Sequence, residues 1–409
     1  MKILFIDGYF FPEKIAFSHL ESDLMDCIVK NGDKIDVCCP VPTRGCSKDI
    51  VNKYSKKKRE SLFDGNVNVY RYWAPQEKRG VLCRILRYFM CYRKQKRFIR
   101  TISADVVLIS STPPLNLLLV KKIKKKRPDI KIVYNLQDVF PDSLINTSLT
   151  KNNSLIWKIG RRMEDSAYKY SDKIITISNG FKENLLNKGV DDKKIEVISN
   201  WIDIKNVLPI DRNENKLFDE FNICRDKFIV LYAGNFGSSQ GADIIIKVAT
   251  LLKEECNIEF VVFGGGSEYA ECQLKAKKLN LQNLKLFPLL SSDRISEVYS
   301  MGNVALIIGK NGVGNSGLPS KTWSIMACGT PIIASFDTDS ELAGVIRDAS
   351  AGVCIEPEND TLLAETIMQA YHHPLDGNGR DYVINNASKE ICVGKYIRLF
   401  KEVQKGNKL

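Results

Sequence analysis

Short runs rich in Val and Ile, almost without polar alternation, recur along the whole 409-residue chain. Seven fall before residue 200: KILFIDG (2–8), KIDVCCP (34–40), VNVYRYW (67–73), DVVLISS (105–111), KIVYNLQ (131–137), KIITIS (173–178) and KIEVISN (194–200). Five follow: FIVLYAGN (228–235), IEFVVFGGG (258–266), LKLFPLL (284–290), NVALIIG (303–309) and TPIIAS (330–335). A strand with one wet face alternates apolar and polar residues, so these strands must be covered on both faces. Helical patterns between them supply the cover, which is the grammar of parallel α/β sheets. Twelve such strands are too many for one sheet, and the pattern lapses at NWIDIKNVLPIDRNENK (200–216). The spacing therefore predicts two doubly wound domains, 1–205 and 206–391. In such sheets ligands sit at the carboxyl ends of the strands, and those ends are expected to face each other across a cleft.

Composition narrows the class. With 44% hydrophobic and 26% charged residues, and no apolar run near eighteen residues, the chain reads as soluble and globular. The start, MKILFIDGYFFPEK, begins like a signal peptide, but Asp7 comes too soon and no small-residue cleavage site follows. Twelve scattered cysteines without a Cys-x-x-Cys pair, and three histidines, suit reduced thiols in a cytosol better than disulfides or a metal site. Residues 1–200 hold 38 Lys and Arg against 22 Asp and Glu, a balance of +16, while the remainder stands at −4. That asymmetry points to an anionic surface or ligand facing the N-terminal half.

Three C-terminal stretches place unusual loops after strands. YAGNFGSSQGAD sets Gly234, Gly237 and Gly241 in the turn before a helix, and VFGGGSEYAE repeats the device with Gly264 and Gly265. Glycines there let backbone amides approach an anion. Neither has the spaced dinucleotide fingerprint, which disfavours a nicotinamide or flavin enzyme. The third stretch, SGLPSKTWSIMACGTPIIAS (316–335), reads as a loop, a helix from about Ser320, a stop at Gly329 and a strand. Lys321 falls in the first helical turn, where a cation sits badly against the helix dipole. An anion would explain it, and three such loops together suit a diphosphate. The Asp337-Thr338-Asp339 run could pass for a metal-binding pair, but capping by Asp339 or Ser340 with Glu341 in the first turn explains it better. In NLQDVFPDS (135–143), Gln137 and Asp138 lie at a strand's carboxyl end, where an acid can orient a hydroxyl or take its proton. Asp142 looks more like a cap.

These stretches, together with SDKIITISNGFKENL (171–185), resemble the retaining GT-B glycosyltransferases of family 4, bacterial nucleotide-sugar enzymes. The likeness runs over nearly the whole chain. It is strongest to the branch that builds O-antigen and capsule units, fucosamine (amino-deoxyhexose) transferases included. It implies two Rossmann-like domains, an N-terminal one for the acceptor and a C-terminal one for the donor. A C-terminal helix (392–409) returns to the first. It further implies a metal-independent site with no cofactor, a probe of which is the donor set Gly234, Asn235, Gly237, Gln240, Gly241, Gly264, Gly265, Leu290, Ser316, Gly317, Leu318, Pro319, Ser320 and Glu341. Lys321 and Asp138 are the implied catalytic residues, with Gln137 and Asp138 toward the acceptor. The chain departs from the family where many members carry two glutamates eight positions apart, here Ser316 and Ser324. It departs again where they carry Arg and Lys in the first glycine loop, here Asn235 and Gln240. Lys321 is then the candidate to neutralise a leaving diphosphate, UDP in this reading. Glu341 is the candidate for part of the ribose recognition.

The basic half has its own pattern. In RGVLCRILRYFMCYRKQKRFIR (79–100), Leu82, Ile85, Leu86, Phe89 and Met90 share one helical face, with Arg84 and Arg87 opposite and Arg93 and Lys94 following. With KYSKKKRE (53–60) and KKIKKKRPD (121–129), this is the pattern of an interfacial helix with a polybasic rim. It would hold the enzyme peripherally at the cytoplasmic face of the plasma membrane, beside a polyprenyl-diphosphate-linked acceptor. An ordinary core-facing helix is the alternative. A non-catalytic accessory of the same fold and a nucleic-acid binder are the rival functions. No recognised nucleic-acid module supports the second.

Overall fold

The computed structural model describes residues 1–13, 18–77, 81–101, 103–142, 154–237, 240–314 and 317–406. It divides into two units, Met1–Ser199 with the chain from Cys392 onward, and Asn200–Ile391. Among the described residues the first unit holds eight strands: β1 (Lys2–Ile6), β2 (Lys34–Pro40), β3 (Arg59–Leu62), β4 (Val67–Tyr72), β5 (Val106–Ser110), β6 (Lys131–Leu136), β7 (Lys173–Thr176) and β8 (Ile195–Val197). They lie in the order β3-β4-β2-β1-β5-β6-β7-β8, all parallel except β3 against β4. The sheet is wound outward in both directions from β1 and β5. The crevice between the carboxyl ends of those two strands is its switch point.

The second unit holds six parallel strands: β9 (Phe228–Asn235), β10 (Ile258–Gly265), β11 (Leu284–Pro288), β12 (Val304–Ile308), β13 (Ile332–Ser335) and β14 (Gly352–Ile355). Their order is β11-β10-β9-β12-β13-β14, so this switch point lies between β9 and β12. The lack of alternation has the expected cause. Along β9, Ile229 and Leu231 enter one core while Phe228, Val230 and Tyr232 enter another on the opposite face. β9 and β10 pair from Phe228 with Ile258 to Asn235 with Gly265, which brings both glycine loops to the same edge.

Two strands were not foreseen. β3 begins at the end of the run KYSKKKRE, whose charge disguised an edge strand. There Lys57 pairs with Glu60 (3.1 Å), and the other carboxylate oxygen of Glu60 meets the buried Arg71 (3.5 Å). β14 is four residues long and opens on Gly352, too short to stand out. The helix Lys389–Lys405 begins in the second unit and continues in the first, where Tyr396 donates to Asn135 Oδ1 (3.3 Å).

Candidate active site

The carboxyl edge of the second sheet opens into a pocket of about 450 Å³. Gly234, Asn235 and Gln240 line it from the loop after β9, and Pro319, Ser320 and Lys321 from the chain after β12. Leu289, Leu290, Ser291, Ser292, Ile295 and Tyr299 form a third wall. Residues eighty-odd positions apart in sequence meet here because β9 and β12 are neighbours at the switch point. Gly237 and Gly241 complete the first loop, where Gly241 takes φ +62° beneath the stem of Lys310. Gly264 and Gly265 end β10. A Cβ on Gly264 would strike Phe236 and Tyr269 at 2.6–2.7 Å, and the Gly264 carbonyl accepts from Leu289 N (3.0 Å). Gly317 has φ +96°, and Leu318 packs on the core below. Ser316 lies outside the described residues.

Among the described residues lining this pocket, Lys321 has the one charged side chain. It opens the helix Lys321–Ala327, whose preceding residue Ser320 makes no side-chain cap. The ammonium lies 4.2 Å from the centre of the Tyr232 ring, and a Cβ on Gly234 would collide with it. No carboxylate of the described residues pairs with it. Burial pushes the Lys321 pKa down to about 8, so the charged form is held at a cost that an anion would relieve. The Asn235 side chain donates from Nδ2 to Gln240 Oε1 (3.4 Å). Ser324 is buried inside the helix.

Glu341 does not line this pocket. It opens the helix Glu341–Asp348, and Ser340 resolves the capping alternative by accepting from Ala343 N (3.3 Å). Asp337 accepts from Gly312 N (2.9 Å) and Gly314 N (2.6 Å), so its carboxylate fastens the loop that leads toward Lys321. Among the described residues, no three His, Cys, Asp or Glu side chains gather as for a metal ion. Lys310 over Gly241, and Ser291, Ser292 and Ile295 in the wall, were not singled out from sequence. Only the glycine before Lys310 and the helix start after Ser292 hinted at them.

In the first unit, Gln137 and Asp138 follow β6. The Gln137 amide donates to Ser111 Oγ (3.1 Å) and its side chain to Asn135 Oδ1 (3.0 Å), while Asp138 is exposed. Asp142 is more than a cap, since its carboxylate accepts from Lys188 (2.8 Å), Asn184 (3.2 Å) and Trp157 (3.3 Å). Burial raises its pKa, but the contacts with Lys188, Asn184 and Trp157 together outweigh that and lower it. A feature the sequence reading passed over lies at the β1/β5 switch point. Asp7, buried after β1, hydrogen-bonds with Ser110 and Glu21. Burial pushes Asp7 up to about 7 and Glu21 well above its ordinary value, so the two carboxyls hold a proton near neutrality.

The helix Val81–Phe98 is turned inside out relative to a core helix. Leu82, Ile85, Leu86 and Phe89 are exposed, Leu82 to 81%, as is Trp73 just before the helix. Arg87, expected among the membrane-facing cations, is instead 1% exposed. It donates to the Pro75 carbonyl (2.6 Å) and lies over the Tyr9 ring. A charge alone on a buried face can be satisfied by a carbonyl and an aromatic ring, which a helical wheel does not show. Arg84 is exposed but paired with Glu77 (3.6 Å), Arg93 is exposed over Phe89, and Lys94 is partly buried. A second helix, Leu155–Tyr170, also exposes Leu155, Ile156 and Ile159. Among the described residues no helix is long and apolar enough to cross a membrane.

Two doubly wound units, with a pocket at the second one's carboxyl edge whose one charged lining residue is Lys321, match the architecture of the GT-B glycosyltransferases. Residues 213–390 match Glycosyl transferases group 1 and residues 22–206 match Glycosyltransferase Family 4, and the chain belongs to this family of glycosyltransferases. It is 27% identical to WcaI of Escherichia coli K12, a protein named as a colanic acid biosynthesis glycosyl transferase, over 68% of this chain and 69% of that one. It is also 27% identical to WbjE of Pseudomonas aeruginosa, named as a glycosyltransferase, over 71% and 73%. Among solved structures, sucrose-phosphate synthase from Thermosynechococcus elongatus shares the fold with TM-score 0.76 at 15% identity, covering 99% of both chains. HepE from Anabaena, in complex with UDP, does so with TM-score 0.72 at 14% identity, covering 98% of this chain and 100% of that one.

Proposed function

We propose that this enzyme transfers a sugar, an amino-deoxyhexose on the resemblance of its motifs, from a UDP-linked donor to a lipid-linked saccharide, with retention, in the synthesis of a bacterial surface polysaccharide. The observation that carries the donor half is Lys321, a half-buried ammonium without a carboxylate at the edge of a pocket lined by no acid. The nucleotide of the HepE complex and the colanic acid context of WcaI support the donor and the pathway class. In this reading the diphosphate lies against Lys321 and the glycine loop of Gly234–Gly241, and the nucleoside against the wall of Leu289, Leu290 and Ile295. The bond from the sugar's anomeric carbon to the β-phosphate breaks as the acceptor oxygen bonds to the same face. The acceptor's proton passes to the departing phosphate oxygen. Lys321 stabilises the charge that develops there, the role a metal has in other sites. Asp138, exposed beyond β6, orients the acceptor hydroxyl. The exposed apolar face of Val81–Phe98 rests on the cytoplasmic leaflet, where a polyprenyl-diphosphate acceptor is carried.

The test is a thermal-shift screen of nucleotide-sugars followed by transfer to a short-chain polyprenyl-diphosphate saccharide. A donor that binds the folded state raises its melting temperature. Transfer with retained anomeric configuration and undiminished rate in excess EDTA is expected. Inverted product, or complete loss of rate in EDTA, would overturn the mechanism.

A further inference from the structure

The sheet edge opposite the active-site edge of the first unit carries a second pocket, of about 180 Å³, between the ends of two helices. One is Val81–Phe98, whose chain continues to Arg100, and the other is Leu117–Lys126. Its floor is apolar, made by the buried Ile99 and Ile123, and its rim carries Lys96, Arg100, Lys122, Lys126 and Arg127. Cations near helix carboxyl ends are ordinary, because they complement the dipole. Five around one small depression exceed what two helix ends require.

The carboxylates nearby are already engaged. Asp129 holds Arg127 (2.8 Å), and Asp172 holds Lys124 (2.8 Å) and Lys131 (3.8 Å). Lys96 leans on the Tyr92 ring (5.9 Å), which leaves its charge uncompensated. Among the described residues Lys96, Arg100, Lys122 and Lys126, unlike Arg127, have no carboxylate partner. Cations gathered on one rim raise the positive potential over the depression, which has room for one tetrahedral oxyanion with a few carbons over the isoleucine floor.

We propose that this pocket binds a phosphate group, distinct from the donor diphosphate and bound at the other edge of the sheet. The same helix that exposes Leu82, Ile85 and Phe89 contributes Lys96 and the chain to Arg100. A phospholipid headgroup is one source of the phosphate and free phosphate the other. The site does not depend on the donor reading, and its test does not use turnover.

The experiment measures binding by the full chain. One arm titrates inorganic phosphate and short-chain lysophosphatidic acid separately, reading the melting temperature. The other measures partition onto phosphatidylcholine vesicles with and without phosphatidic acid. The variants are Lys122→Ser with Lys126→Ser, and, as an equal charge change at exposed lysines of the second unit, Lys277→Ser with Lys278→Ser. Saturable stabilisation by lysophosphatidic acid alone assigns the headgroup, and equal stabilisation by inorganic phosphate assigns the free ion. In either case the 122/126 variant should bind about thirtyfold more weakly, at roughly five- to sixfold per cation removed, and the 277/278 variant should bind as the parent does. No saturable binding in either arm, or equal weakening by the two variants, would overturn the proposal.

Discussion

Replacing Lys321 with Met keeps the apolar stem over Tyr232 and removes the ammonium. The pKa of about 8, against an ordinary 10.5, means that below pH 8 the folded protein carries a charge the unfolded chain holds more easily. The sign is that of a base depressed by folding: stability is lowest below pH 8, rises between about 8 and 10.5, and levels off above. The gap corresponds to at most about 3 kcal/mol at neutral pH. Met should recover part of that, raising the melting temperature of the ligand-free enzyme at pH 7 by several degrees, at about 2–4 °C per kcal/mol for a unit of this size. At pH 10.5 the gain should vanish. The same variant should lose at least a hundredfold in turnover, the usual consequence of removing one preorganised donor to a developing charge. A diphosphate should also restore the ordinary pKa, so UDP binding at pH 8 takes up about half a proton. Calorimetry in buffers of different ionisation enthalpy reads that uptake, which should disappear at pH 6. A variant less stable than the parent at pH 7, or UDP binding without proton uptake at pH 8, would refute the reasoning.

Gly234→Ala places a methyl where the Lys321 ammonium lies, and a flexible side-chain end can move aside. It should therefore lower turnover tenfold or more while shifting the melting temperature by less than about 2 °C. Asp7→Asn tests the acid pair at the β1/β5 switch point. With the Asp7 pKa raised to about 7, native stability is greatest below the ordinary pKa of 3.8 and falls as pH rises through 7. The amide should thus stabilise the protein at pH 8 by up to about 4 kcal/mol and leave it unchanged at pH 3.5, read by denaturant melts at both values. On the inverted helix, Leu82→Ser with Ile85→Ser and Phe89→Ser should abolish flotation with anionic vesicles at unchanged melting temperature. Arg87→Ala should instead destabilise by about 2–3 kcal/mol, since it strips a buried carbonyl of its donor.

The runs of unalternating Val and Ile already pointed to sheets covered on both faces, because that packing removes the side chains on both sides of each strand from water. The glycine loops, the break at 200–216 and the helix that starts at Lys321 were equally local and equally legible. Capping at Ser340 rather than Asp339 was a local matter too, though geometry had to choose between two residues of similar chemistry. The edge strand β3 was hidden because its stabilising pairs, Lys57 with Glu60 and Glu60 with Arg71, look in sequence like a solvated charge run.

What a window of sequence does not contain is which neighbour a residue meets. The periodicity of 81–98 separates an apolar face from a charged one, but burial of either depends on the partner surface. Here a carbonyl at Pro75 and the ring of Tyr9 take Arg87 inward and leave Leu82 outside. Asp7 served only to argue against a signal peptide until the sheet set it beside Ser110 and Glu21, where lost solvation changes its chemistry. Lys321 was a misplaced cation by the local rules of helix starts. Strand order alone put Tyr232 beneath it and Gly234 beside it, and supplied no carboxylate, so that its charge became one for a ligand to satisfy.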